Sequence, residues 1–371
     1  MQEHDKARAY HRVKRILFYF TLVYDSGLLL AFQLSGLSLA VAGWAGRVSG
    51  NIWISNALYL SVFCAAAYVL HWPLDFFKDF VWEHRFGLSN QRWFAWLWDE
   101  VKRALISFVF ILFFVECLYF VLRIFPQRWW LGAAGVWLFL SLFLARIMPN
   151  IIIPLFYNYK RIDNEQLRER ILDLFKRCRV TVEDVFAIDF SAKTKKANAF
   201  VCGLGRKRRV VLTDNLLDGF ESSEIESVVA HELGHYVGKD VIKLIAVNTL
   251  VIMGAFFVTD LVLKRVLAGM GGLSITQIAT WPLLALSLMV LGLVTGPLLN
   301  GFSRWLERKA DRFSLELTGD PKAFIGMMQK LGNMNLAEFD PGRFDVIMFY
   351  DHPPIAQRIR FAENFRNSTS S

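Results

Sequence analysis

The sequence predicts an all-α polytopic membrane protein with a small α+β element on one side of the bilayer. Composition is the first reason: 54% of the 371 residues are hydrophobic, 15% are aromatic and only 20% are charged. The mean hydropathy of +0.35 is too apolar for a soluble enzyme. The second reason is a set of six apolar runs of bilayer length, ~20 residues, at 16–43, 54–74, 104–124, 130–156, 241–263 and 281–301. The third is the placement of basic residues, which fall in alternate connections.

The first run is over-long and carries Asp25, so it can be tilted, kinked or partly outside the hydrocarbon. A retained span fits it better than a signal peptide: it is too long for an h-region and has no clean small-residue cleavage site. Between the second and third runs, 75–98 is amphipathic and aromatic and reads as an interfacial elbow. Lys6, Arg8, Arg12, Lys14 and Arg15 precede the first run, and Lys78, Arg85, Arg92, Lys102 and Arg103 lie in or after the elbow. Lys160 and Arg161 follow the fourth run, and Arg304, Arg308 and Lys309 follow the sixth. These connections share one side, while 44–53 and 125–129 are short and poor in charge. The bias puts both termini in the cytoplasm and accounts for the net charge of +9 without a nucleic-acid partner.

Four segments follow: membrane helices over 1–156, a soluble element over 157–240, a transmembrane hairpin over 241–301, and a last segment over 302–371. In the soluble element, Asn164 to Arg179 has helical periodicity. Val185 to Asp189, Ala197 to Cys202 and Arg209 to Leu212 read as short strands, the last two joined by a basic hairpin turn over 203–208. Ser222 or Ser223 is the expected cap of the next helix. Cys64, Cys117, Cys178 and Cys202 have neither disulfide nor zinc spacing and read as reduced or buried thiols. The tail from Asn367 is polar and expected to fray.

The next helix carries the chemistry. Val228-Val-Ala-His-Glu-Leu-Gly-His-Tyr236 puts His231 and His235 one turn apart on one face, with Glu232 beside them. Two imidazoles so placed can grip one Zn²⁺, and the adjacent carboxylate can take a proton from the attacking water. A third ligand is needed; Glu307 is the best candidate, because the hairpin returns the chain to the side it left. Asp311, one turn on, can accept the free N–H of a ligating His. His352, fixed by Pro353 and Pro354, is placed to donate to an oxyanion. His4, His11, His71 and His84 have no partner at ligand spacing. Ala197 to Phe200 could offer a strand edge for a peptide, with Asn198 holding a carbonyl or the water. Asp25, Glu116, Arg146 and Asp260 interrupt apolar runs and hint at a polar cavity, or at helix-to-helix pairing.

These residues, from about Leu74 to Ala362, resemble the integral-membrane CAAX prenyl endopeptidase of type 1, a zinc metallopeptidase. The matches are Glu83-His-Arg-Phe-Gly, Ile153-Pro-Leu-Phe, Asn198-Ala-Phe, Val211-Leu-Thr-Asp, His231-Glu-Leu-Gly-His, Glu307 to Asp311, and His352-Pro-Pro with Arg358. The resemblance implies zinc on His231, His235 and Glu307, Glu232 as general base, and Asn198 and His352 on the intermediate, with Asp311 supporting a ligand. Ala199, Phe200 and Arg358 are the substrate contacts it suggests. It also implies a chamber ringed by membrane helices and removal of three residues from a prenylated cysteine motif. That family has seven spans, which leaves 1–50 short by about one helix. The short loop from Asp214 to Ser223 replaces a long charged insertion of eukaryotic members, so the chain looks like a bacterial inner-membrane protein. Two alternatives use the same residues: a heat-shock-type quality-control metalloprotease cutting misfolded membrane proteins, and a catalytically silent zinc-binding scaffold. A peptide or protein substrate and the lipid bilayer are the expected partners; the oligomeric state stays open.

Overall fold

A computed structural model describes residues 3–203, 208–271 and 273–369. Helix α1 (Glu3–Leu34) ends where Gly36 takes φ 81°, a left-handed conformation open to glycine because it has no Cβ. Helix α2 (Leu37–Val48) follows. The apolar run at 16–43 is therefore two helices. The second has 12 residues, about 18 Å long against about 30 Å of hydrocarbon, too short to cross. Its two ends are anchored close to neighbouring helix starts: Ser38 Oγ donates to Ala279 O at 2.7 Å, and Ser55 Oγ, at the start of α3 (Ile52–Asp75), donates to Ser49 O at 2.7 Å.

Helix α3 runs on through a π-helical turn (Phe76–Val81) into α4 (Trp82–Arg85). The elbow expected over 75–98 is thus helical at both ends and bends only over 86–92, where Gly87 has φ 71°. Helices α5 (Trp93–Ile124) and α6 (Trp129–Ile147) complete this half.

The soluble element begins with β1 (Tyr159–Arg161), a strand too short and polar to be legible in the sequence. Helix α7 (Glu165–Arg177) is capped by Asn164, whose side chain accepts from Leu167 N at 3.0 Å. Strands β2 (Asp184–Ile188), β3 (Ala199–Cys202) and β4 (Arg209–Thr213) follow. The basic turn expected at 203–208 lies for the most part outside the described residues. Sheet order is β1-β2-β4-β3: β2 runs parallel to β4, and β3 is antiparallel to β4 with Ala199 opposite Leu212. Strand β3 therefore has a free edge. Short α8 (Asp214–Gly219) leads to α9 (Ser222–Gly238). The cap of α9 is Glu221 rather than either serine: its side chain and that of Glu224 form a reciprocal capping box, and Glu224 is anchored to Lys330 at 2.6 Å. One core unites Ile171 and Phe175 of α7, Val185, Val210 and Leu212 of the sheet, and Val229 and Leu233 of α9.

Helix α9 passes through Lys239 straight into α10 (Asp240–Ala268). Helix α11 (Trp281–Thr318) is one element of 38 residues, so the boundary drawn at 301 cuts through a helix. At about 57 Å it outruns the bilayer and projects from it. Helix α12 (Pro321–Met334) packs on α9, α13 (Arg343–Phe349) on α11 and α14 (Ile355–Thr369) on α12, and the tail is helical as far as Thr369.

The membrane helices form a closed ring. α1 packs on α2, α2 on α3, α3 on α5, α5 on α6, α6 on α10, α10 on α11, and α11 again on α1. Six of these are long and apolar enough to span, as the sequence predicts, and α2 is the seventh wall. A cavity of about 920 Å³ lies among α3, α5, α6 and Trp281. Three of the acids in apolar runs pair within the ring: Asp25 with His71 at 2.5 Å, Glu116 with Asn56 at 3.2 Å, and Asp260 with Trp129 and Lys264 at 2.7 Å each.

Helices α9 and α11 cross closely at Gly234, where an added Cβ would lie 3.2 Å from Ala310 Cα and 3.2 Å from Phe313 Cδ1. Gly234→Val should therefore push the two helices apart, costing about 1–3 kcal/mol of stability. Thermal unfolding in detergent and competition with a chelator should show a lower midpoint and weaker metal retention together.

Candidate metal centre

His231 and His235 project from α9, and Glu307 from the emerging end of α11. Their ligand atoms all lie within 4.8 Å of one another. His231 Nε2 is 3.1 Å from His235 Nε2 and 3.3 Å from Glu307 Oε2, and His235 Nε2 is 3.1 Å from Glu307 Oε1. The close crossing at Gly234 makes this possible: residues far apart in the chain meet because α10 and α11 form a hairpin that leaves and returns.

The other ring nitrogens identify the group's chemistry. His231 Nδ1 lies 3.0 Å from Asp311 Oδ1, and His235 Nδ1 lies 3.0 Å from Asp240 Oδ2. With each Nδ1–H assigned to a carboxylate from these partners, both Nε2 lone pairs point at the same spot. Two lone pairs and a carboxylate so close repel unless a cation or a proton sits among them. Glu307 Oε2 is buried, 3.3 Å from His231 Nε2. Two imidazole nitrogens and one carboxylate oxygen, with supporting carboxylates behind, fit a metal ion.

Asp240 was not legible as part of the site. It sits at the start of a hydrophobic helix and reads as a first-turn acid; its approach to His235 depends on Lys239 taking φ 56° to turn the chain from α9 into α10. Arg358, expected as a substrate contact, lines the neighbouring cleft and also bonds Asp311. Both its Nε, at 2.9 Å, and its Nη2 donate to Asp311, and Nη2 lies 3.4 Å from His231 Nδ1. Its guanidinium orients Asp311, although the side chain also lines the neighbouring cleft.

That cleft, about 500 Å³, is lined by Ala197, Asn198, Ala199, Glu232, Tyr350 and His352 among others. Asn198 is exposed, and its side-chain oxygen accepts from Ala199 N at 2.9 Å. Phe200 is not among the lining residues and pairs with Val211 across β3 and β4. His352 is exposed, with Nδ1 2.8 Å from Asp351 and Nε2 3.2 Å from Glu307 Oε1.

Electrostatics separates the roles. Burial would depress the His231 imidazole, but hydrogen bonds to Asp311 and Glu307 outweigh it and raise it to about 9 in the metal-free protein. Burial likewise opposes His235, whose contact with Glu307 moves it upward. Burial pushes the Glu232 carboxyl up, against the pull of the two imidazoles, which makes its carboxylate a stronger base than an exposed glutamate.

A helix-borne imidazole pair completed by a glutamate from a membrane hairpin, beside a cleft with a free strand edge, defines a membrane metallopeptidase. Comparison with known proteins agrees. The model for peptidase family M48 matches residues 161–366, and that for the CAAX prenyl protease N-terminal region, with five membrane helices, matches 1–158. The chain belongs to peptidase family M48. It is 31% identical, over 98% of its length and 86% of the relative's, to the uncharacterized metalloprotease YhfN of Bacillus subtilis. It is 27% identical to the CAAX prenyl protease 1 homolog of Arabidopsis thaliana, covering 97% of this chain and 87% of that one. The crystal structure of S. mikatae Ste24p shares the fold, with a TM-score of 0.83 at 21% identity over 97% of this chain and 88% of that one. Within the N-terminal match, α1, α3, α5 and α6 are long and apolar enough to span, and α2 is a shorter apolar helix hidden in the over-long first run. The protein is a multi-pass membrane hydrolase acting on peptide bonds.

Two outcomes follow from the geometry. Near pH 7, metal-free His231 is protonated, because its imidazole titrates at about 9, so Zn²⁺ binding should release protons. Calorimetry in buffers of different ionisation enthalpy should show this release shrinking as pH rises above about 9. Asp240→Asn should weaken metal affinity roughly 10- to 100-fold by loosening His235, read by chelator competition.

Proposed function

We propose that the protein is a zinc-dependent endopeptidase that cuts near the C-terminus of membrane-associated, prenylated CAAX-type substrates. The single observation that carries the substrate class is similarity to a CAAX prenyl protease 1 homolog along nearly the whole chain, membrane helices included. His231, His235 and Glu307 would hold Zn²⁺, which when bound supplies a Lewis acid for the scissile carbonyl and acidifies the attacking water. Segment 157–240 would supply the peptidase element, and the helices flanking it the membrane frame.

The chain's own residues carry the steps. A substrate backbone can lie along the free edge of β3, with Ala199 and Phe200 contributing main-chain groups and Asn198 facing a carbonyl. Glu232 takes the proton of the attacking water and later delivers it to the leaving amine. His352, its Nδ1 held by Asp351, presents Nε2 to the cleft, where it can donate to the oxyanion. Asp311 and Asp240 keep the imidazoles oriented, and Arg358 keeps Asp311 ionised and in place. The short loop from Asp214 to Ser223 and the Bacillus subtilis relative support a bacterial inner-membrane protein, and the distribution of basic residues supports placing the site and both termini in the cytoplasm.

The test compares zinc-loaded wild type with Glu232→Gln on one CAAX peptide, farnesylated and unmodified, with products identified by mass. Wild type should release the last three residues and favour the lipidated peptide. Glu232→Gln should lose at least about 10²-fold in kcat while retaining its metal. Cleavage that needs Glu232 but ignores the lipid and falls elsewhere would move the substrate class to misfolded membrane proteins. Metal retention without any peptide cleavage by wild type would contradict the enzymatic reading.

A further inference from the structure

The cleft beside the metal group has two walls, and neither is held by the metal group alone. One wall is the chain from Lys196 to Ala199 leading into β3; the other includes Glu338, Tyr350 and His352. Both are tied to the first turns of α1. Glu83 accepts hydrogen bonds from Tyr10 Oη and, at 2.9 Å, from Lys14 Nζ. Its other oxygen lies 3.0 Å from Lys196 Nζ, one residue from the wall's Ala197. Glu338 Oε2 accepts from Arg15 Nη1 at 2.7 Å and from Tyr350 Oη at 3.2 Å. His11 Nε2 is 2.9 Å from Leu336 O on the same side.

The spacing of the four α1 residues, two adjacent pairs one turn apart, puts them on one helix face. Glu83 and Glu338 keep only 13% and 10% of their side chains exposed. Each receives more than one donor, so removing either carboxylate strands several half-buried groups. The bend after α4 adds backbone support to the first wall, with Lys195 N donating to Leu88 O at 2.9 Å and Asn90 N to Lys193 O at 3.0 Å.

We propose that Glu83 and Glu338 are positioning residues, through which one face of α1 holds the two walls of the substrate cleft at a fixed separation. This rests on the cleft being where the peptide binds. A peptide strand that must touch the β3 edge on one side and the His352 segment on the other would then bind a preset gap, and α1 would set it. Neither carboxylate takes part in the chemistry, so their loss should fall on binding.

The experiment uses the full-length, metal-loaded enzyme in detergent with a peptide that wild type cuts. Lys196→Met, Glu83→Gln and Arg15→Met should each raise KM about 10-fold while kcat stays within about threefold and metal content is unchanged. Lys196→Met combined with Glu83→Gln should be no worse than the more affected single variant, because both break one link. Glu83→Gln combined with Arg15→Met should compound to about 100-fold, because they release opposite walls. Unchanged KM in all three single variants overturns the proposal, as does a fall in kcat and unfolding midpoint together with KM constant, which marks plain structural damage. Should Glu83→Gln fail to fold, Lys196→Met, which leaves the contacts of Glu83 with α1 intact, decides by the same criterion. If wild type cuts no peptide, the enzymatic reading fails instead, and hydrogen exchange decides this one: faster exchange at Ala199 to Cys202 in Lys196→Met upholds it, and unchanged exchange overturns it.

Discussion

The structure depends on the close crossing of α9 and α11 at Gly234. Glu307 and Asp311 reach the imidazoles because the helix axes approach to the distance a glycine allows. Glycine is a poor helix former, by about 1 kcal/mol relative to alanine. Its presence between the two histidines trades local helix stability for contact between helices. The approach brings two inward lone pairs and a buried carboxylate oxygen to one point, an arrangement that is electrostatically incomplete without a cation or proton.

The membrane frame makes that crossing reproducible. Helix α10 continues directly from the metal helix, and α11 runs from the far side of the bilayer to beyond the near side, so both halves of the site are ends of transmembrane rods. Closing the ring through α1 fixes the hairpin laterally, and the same α1 reaches the cleft with its basic face. Ion pairs such as these contribute little when solvated. Their weight here comes from carboxylates that are largely buried and shared among several donors.

The pairing of His231 and His235 on one face of α9 was legible, because local spacing is what a sequence displays. Glu307 and Asp311 could be inferred once the hairpin was recognised, since an apolar pair of spans fixes where the chain must return. Asp240 could not, because its approach depends on a left-handed Lys239 that composition does not announce. The true cap, Glu221, was missed for a related reason: two serines looked like better caps, and the reciprocal bond with Glu224 decided otherwise. Helix α2 was hidden because two helices broken at a glycine read as one apolar run, and length alone does not reveal the break. The two hydrogen bonds from Arg358 to Asp311 were not legible, since they are a fact of packing.

The most direct test of the account is the metal's own coordination, read by zinc-edge X-ray absorption on purified protein and on Glu307→Ala. Two imidazole nitrogens at about 2.0–2.1 Å and one carboxylate oxygen at a similar distance, with the oxygen contribution lost in the variant, is the expected result. Sulfur in the first shell, or a spectrum indifferent to Glu307, would contradict it and remove the basis for assigning the chemistry to the crossing of α9 and α11.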